Sequence, residues 1–197
     1  MPPQSTYLLT VDGTDFAIQE PKPFNKKWFS HKFKGPGLRY EVAVGIYNGV
    51  ICWINGPFPC GSWPDALIAK DALHYSLEKN ERYVADKGYR ACEPVAITPT
   101  GLQRFIDRQL GMLRARHENI NRRLKEFGIL QQKFRHSLTK HGIVFSAVAN
   151  VTNLKLKTES PVHKIDFSEF EIWADNNVIG RRFWPFQRVD SEYLKSF

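Results

Sequence analysis

The chain is predicted to be an α/β domain with a mixed sheet of five strands flanked by helices, and three observations predict it. Two short apolar runs, Tyr7-Leu8-Leu9-Thr10-Val11 and Tyr83-Val84-Ala85, each stop at an aspartate with a glycine close behind, Asp12-Gly13 and Asp86-Lys87-Gly88. Runs of this length bounded by glycine are read as strands buried on both faces. Between them, residues 40–47 alternate, with Tyr40, Val42, Val44 and Ile46 on one face and small or polar residues on the other. Asn48-Gly49 and a second apolar run at 50–54 complete a strong hairpin signal. Finally, a helix-length segment separates this hairpin from the second buried strand. A strand, a crossover helix and a strand lay the two strands in parallel, so Asp12 and Asp86 are expected at the same end of the sheet.

Taken in order, residues 21–37 mix lysines with Phe24, Trp28, Phe29 and Phe33 between proline and glycine, which predicts a loop or irregular hairpin. Residues 55–61, Asn-Gly-Pro-Phe-Pro-Cys-Gly, are expected to be a loop. Ser62 is then the expected N-cap, and Pro64 a first-turn residue, of a helix running to about Glu78. Its apolar residues, Ala69, Leu73 and Leu77 with Ile68, Ala72 and Tyr75, fall at helical spacing. A fifth short strand is expected at Val95-Ala96-Ile97. From Leu102 to about Phe127, Ile106, Leu110, Leu113, Ile120, Leu124 and Phe127 form one stripe of a long helix that Gly111 would bend or restart. Residues 134–156 predict one or two further helices, with Val144, Val148 and Val151 on one face. Residues 158–197 are expected to be an extended, partly ordered extension of a domain spanning 1–157. Three antiparallel strands, a helix, a parallel strand and further helices describe an α/β domain of the RNase H-like kind.

With 197 residues and 42% apolar content the chain fits one folded domain. No apolar run is long enough to span a bilayer and no signal pattern opens the chain, so it is expected to be neither membrane-bound nor exported. Three cysteines without a C-x-x-C pair indicate neither a disulfide framework nor a zinc ribbon, and reduced, partly buried thiols are expected. The net charge of +8 is concentrated: residues 22–39 hold six basic and no acidic residues, and residues 103–141 hold ten basic and three acidic ones. The remainder is net acidic, a distribution that points to a polyanionic partner.

The candidate chemistry lies in the acids. Asp12 and Asp86 close strands, and Glu118 stands in the long helix, roughly 130° from the centre of its apolar stripe. Two strand-borne aspartates and a helix-borne glutamate make an all-oxygen site suited to hard divalent cations and to in-line chemistry on phosphodiesters. Each has a plainer alternative: turn-forming aspartates and an exposed ladder of Arg114, Glu118 and Arg122. Asp65, in the first turn of its helix, is equally an acid favoured by the helix dipole. His117 is read either as a phosphate contact or as a packed residue. Lys26 and Lys27 in the aromatic loop, with Lys87, Arg114 and Arg116 near the acids, are the candidate phosphate contacts.

As an ordered set, Val11-Asp12-Gly13-Thr14, Gly61-Ser62-Trp63-Pro64-Asp65, Ala85-Asp86-Lys87-Gly88-Tyr89 and Arg114-Ala115-Arg116-His117-Glu118-Asn119 with Arg122-Arg123-Leu124-Lys125 resemble the DDE endonuclease domain of Harbinger-type transposases. The resemblance covers about residues 6–157. It implies an RNase H-like fold and two Mg²⁺ or Mn²⁺ ions. It also implies cutting and joining of transposon ends into target DNA, a nuclear location, and Asp12, Asp86 and Glu118 as the catalytic triad. Asp65 matches a further acidic position of the family and a metal ligand. Such transposases carry a helix-turn-helix region upstream, and here Met1 lies just before the first strand. The chain is therefore expected to be a fragment or to act with a separate DNA-targeting protein, and oligomers are compatible with it. The rival expectation is a catalytically inactive, transposase-derived DNA-binding or scaffold protein, which would keep the basic surfaces and could discard the acids.

Overall fold

The structure, a computed structural model, describes residues 5–102, 104–166 and 177–179. Strand β1 (Ser5–Ala17) lies at the centre of the sheet. It pairs antiparallel with β3 (Gly35–Gly45), which pairs antiparallel with β4 (Ile51–Pro59). On its other side β1 runs parallel to β5 (Glu81–Ala85), and β5 parallel to β6 (Ala96–Ile97). The core order is thus β4-β3-β1-β5-β6, a mixed sheet, to which two short strands attach: β2 (Phe29–Ser30) against β3, and β7 (Asn177–Ile179) parallel to the start of β1. Helices cover both faces.

On one face Leu9, Val11, Ala43 and Trp53 pack under Ala69 and Leu73 of the crossover helix and under Tyr89. That helix is α1 (Asp65–Ile68), continued through a π turn (Ala69–Leu73) into α2 (His74–Ser76). The opposite face is covered by α3 (Arg104–Lys125), α4 (Gly128–Gln131) and α5 (His141–Thr158), through Ile120, Leu124, Leu130, Phe145 and Val148. Burying both faces of β1 and β3 is what their apolar sequences demand. Among the described residues, no helix is long and apolar enough to cross a membrane, and Cys52, Cys60 and Cys92 are free and buried.

Several expectations need correction. β4 runs on through Asn55-Gly56-Pro57 instead of ending in a loop. Prolines are tolerated there because, among the described residues, β4 has no further neighbour in the strand order, so the missing N–H costs no ladder bond; the register shift between Arg39 and Glu41 absorbs the irregularity. Ser62 does not cap α1; its hydroxyl donates to the Lys27 carbonyl at 3.4 Å and Pro64 takes the cap position. Tyr75 is exposed rather than on the apolar stripe, and α3 passes Gly111 unbroken.

Residue Phe134 is not helical. It bridges Ile18 backbone to backbone, and a one-turn 3₁₀ helix (Leu138–Lys140) leads into α5. The buried side of α5 carries His141, Phe145, Val148 and Asn153, whereas Val151 faces outward. Polar residues win that side because they have partners: His141 bonds the Tyr40 hydroxyl at 2.7 Å, and the Asn153 amide closes two 2.8 Å bonds with Ile51 backbone. The expectation of extended chain over 158–197 falls mostly outside the described residues.

Candidate active site

Strand β1 places Asp12 where the sheet loses a strand. Val11 is its last residue paired with β5, opposite Ala85, so Asp12 and Asp86 are the next residues of neighbouring parallel strands. β1 itself continues along β3 to Ala17. Asp12 therefore does not end its strand, as the following glycine suggested; it stands at the step left where β5 stops. Asp86 accepts a 2.8 Å hydrogen bond from the Gly88 N–H, capping a 3₁₀ helix, Lys87–Cys92.

Two cross-links set the rotation of α3 over β1. The Thr10 hydroxyl bonds His117 Nδ1 at 2.8 Å, and Asn121 Nδ2 donates to Asp12 Oδ2 at 2.9 Å. Two residues of strand, about 6.6 Å, match four residues of helix, about 6 Å, so the two pairs stack like rungs. With His117 and Asn121 against β1, Arg114 and Glu118, one turn apart, fall together on the adjoining flank of α3. There Glu118 joins Asp12 and Asp86 in lining one cleft of about 170 Å³, with Lys32, Arg114 and His117. The alternative of an Arg-Glu-Arg ladder is not what forms. Among the described residues Glu118 pairs with neither arginine, and Arg122 pairs with Glu126.

The glycines behind the two aspartates make room for Asp65. A Cβ on Gly13 would lie 1.9 Å from Asp65 Oδ1, and one on Gly88 would lie 3.3 Å from Asp65 Oδ2. Arg39 fixes that carboxylate from behind. Its guanidinium grips Asp15 through Nε at 2.7 Å and Nη2 at 3.0 Å, while Nη1 lies 3.3 Å from Asp65 Oδ1. The last contact is an ion pair rather than an aligned hydrogen bond, since Asp65 Oδ1 has no hydrogen-bond partner. Burial would raise the Asp15 carboxyl, but the hydrogen bonds from Arg39 and from Ser30 Oγ at 2.6 Å hold it below its usual range.

Burial pushes the Asp12 carboxyl up to about 6; Lys32 opposes the shift, and the charges of Asp86 and Asp65 add to it. Asp65 is raised as well, by burial first, against Arg39 and Lys32. Among the described residues no three His, Cys, Asp or Glu side chains are gathered tightly enough to hold a metal ion. The donor chemistry nevertheless fits a hard divalent cation. The acids here offer carboxylate oxygens alone, the charges of Asp86 and Asp65 press on Asp12, and backbone without Cβ atoms lets Asp65 approach.

The candidate phosphate contacts divide. Arg114 lines the cleft, and Lys87 is exposed directly after Asp86. Lys26 and Lys27 sit in a one-turn 3₁₀ helix (Lys26–Trp28) against the loop that leads to Asp65, where Gly61 N–H donates to the Lys27 carbonyl at 2.8 Å. Arg116 does not belong with them. It is 5% exposed and its Nη1 donates to the Ile46 carbonyl at 3.0 Å, so its place on the sheet-facing side of α3 removes it from any phosphate. His117 is packed: burial pushes its imidazole down to about 3, which leaves it neutral.

Sequence reasoning left Lys32 among the cations of the aromatic loop without placing it at the acids, and missed Arg39, Asn121 and Glu41. Glu41 is fully buried, takes a 3.1 Å hydrogen bond from Trp53 Nε1, and is pushed up to about 8 by burial. The position of Asn121 one turn after His117 was readable as helix spacing; its reach to Asp12 was not.

Comparison with known proteins identifies a family. A family described as "DDE superfamily endonuclease" matches residues 11–153. The chain is 28% identical over 167 residues to a protein of Microchaete diplosiphon named "Probable transposase for insertion sequence element IS702", covering 78% of this chain and 59% of that protein. The chain thus spans less than two thirds of this relative's length. No solved structure matches significantly. The family match reaches from the strand that carries Asp12, through Asp86 and Glu118, into α5, and on that extent the chain belongs to the DDE superfamily endonucleases.

Proposed function

We propose that the chain is the nuclease and strand-transfer domain of a transposable element, cutting DNA phosphodiesters with Asp12, Asp86 and Glu118. The observation that carries this reading is the single cleft lined by all three acids. The strand order β4-β3-β1-β5-β6, with the first three strands antiparallel and the last two parallel to β1, supports an RNase H-like fold for it. A Harbinger-type origin is proposed from the motif set, and a mobile-element origin is in keeping with the transposase name of the relative.

Two Mg²⁺ or Mn²⁺ ions would be held by Asp12, Asp86 and Glu118, with Asp65 as a further ligand. When bound, such ions activate the attacking hydroxyl and stabilise the leaving oxygen. The chain's own residues provide the frame. Asn121 orients one Asp12 oxygen, the Thr10–His117 bond keeps α3 from rotating Glu118 away, and Arg39 sets Asp65 between the two glycines. Arg114 is proposed to take a substrate phosphate on the rim, with Lys26, Lys27 and Lys87 contacting DNA further out.

The test is divalent-dependent nicking of plasmid DNA. Asp12→Asn and Glu118→Gln each remove one anionic ligand with little change of shape. Losing roughly 4 kcal/mol of transition-state stabilisation slows cleavage about a thousandfold. Metal-free DNA binding is expected to persist or strengthen, because a charge repelling phosphates has gone. If wild type cleaves and Asp12→Asn cleaves equally well, the assignment of the acids is refuted.

A further inference from the structure

We propose that Lys32 is a substrate-binding residue of this cleft, whose ammonium takes the phosphate on which the acids act. The inference rests on the nuclease reading above and adds a residue to it.

An exposed lysine is ordinarily a mobile, solvated point charge. Lys32 is fixed at both ends. It lies in the tight turn joining β2 to β3, and its backbone N–H donates to Ser30 Oγ at 3.2 Å. Ser30 Oγ in turn donates to Asp15 Oδ2 at 2.6 Å, and Asp15 is gripped by the Arg39 guanidinium that also reaches Asp65. One buried network therefore positions both the turn that carries Lys32 and the acid at the back of the site. At the other end Lys32 Nζ donates to the Gly13 carbonyl at 2.6 Å, which holds it on the residue next to Asp12.

This ammonium is not consumed as a structural ion pair. Among the described residues no carboxylate lies within 4.0 Å of it, although it is within electrostatic reach of Asp12, Asp65 and Asp15. An ammonium has three donors, and the Gly13 carbonyl takes one. The other two belong to a cation held over the mouth of an anionic cleft, with Arg114 lining the same cleft from α3. A phosphodiester offers two anionic oxygens, and a cation from the turn and another from the helix suit such a ligand.

The probe is a labelled DNA duplex, bound in Ca²⁺ so that affinity is read without turnover, across a salt series. Lys32→Met keeps the length of the side chain and removes the charge; Lys32→Arg keeps the charge. Lys32→Met is expected to weaken binding about tenfold and to flatten the slope of log affinity against log salt by about 0.9, the value for a single phosphate. Lys32→Arg should keep the wild-type slope. In Mn²⁺, Lys32→Met should nick plasmid at least tenfold more slowly than wild type. An unchanged slope in Lys32→Met, or a loss shared equally by Lys32→Arg, overturns the inference. Asp12→Asn assayed beside them separates the two ideas. If Asp12→Asn nicks like wild type, the nuclease reading falls; if it is inactive while Lys32→Met binds as wild type, only Lys32 falls.

Discussion

At the scale of single residues, Asp12 carries the clearest cost. Its carboxyl titrates near 3.8 when unfolded and at about 6 in the fold, chiefly because it is buried. The folded protein therefore holds that proton more tightly than the unfolded chain. In chelator, the resulting stability is fully present below about pH 4 and is lost as pH rises through about 6, roughly 3 kcal/mol at most. Asp12→Asn should remove this part of the slope and be the more stable protein at neutral pH. Denaturant titrations of both proteins across that range check it, and parallel slopes would count against a strained Asp12. A divalent ion should reverse the cost in the wild type, so stabilisation by Mn²⁺ should weaken as pH falls through about 6.

Among the elements, the pairing of β1 with α1 turns on a missing side chain. Gly13 has an ordinary backbone conformation, so alanine is admissible there except for its methyl group, which would fall 1.9 Å from Asp65 Oδ1. That oxygen is the end of a flexible side chain and can swing away. Gly13→Ala is thus expected to fold with a melting temperature within a few degrees of wild type while displacing Asp65 from between the strands. If Asp65 is a ligand, nicking should fall at least tenfold, mostly in kcat. Full activity in a well-folded Gly13→Ala protein would reduce Asp65 to a structural partner of Arg39. The Asp-Gly and Asp-Lys-Gly spacings are on this account a requirement of packing three acids together, which the turn-forming explanation of each dipeptide does not supply.

For the whole molecule, the two basic segments do not act uniformly. Lys32 and Arg114 meet at the cleft, Lys26 and Lys27 lie against the loop leading to Asp65, and Arg116 is turned into the core. Replacing Lys26, Lys27 and Arg114 by Ala should flatten the salt dependence of DNA binding by about 0.9 for each phosphate these side chains neutralise. Arg116→Ala should leave that slope unchanged and instead destabilise the fold by about 1–3 kcal/mol, because the Ile46 carbonyl loses its charged donor. Filter-binding isotherms over a salt series, with urea unfolding of the same proteins, distinguish the two behaviours. A flattened slope in Arg116→Ala would contradict its placement.

The five core strands, the parallel pairing that brings Asp12 beside Asp86, and the long helix bearing Glu118 follow from patterns within short windows of sequence. Period-two alternation, a turn dipeptide and a helical stripe each report local backbone, and the rule for parallel crossovers joins them. What lies beyond those windows needed the packed molecule. The reach of Asn121 to Asp12, the bond of Thr10 to His117 and the seating of Asp65 over Gly13 join residues far apart in the chain. Arg114 and Arg116 are alike in sequence and two residues apart. The helix rotation set against β1 gives one to the cleft and the other to the core. The same holds for Glu41, read as a polar residue on the lesser face of its strand and found wholly buried under the crossover helix's layer beside Trp53. Local sequence determined which elements form and which carry acids. Only tertiary packing decided which charges face one another, because the side a residue presents depends on what its element is pressed against.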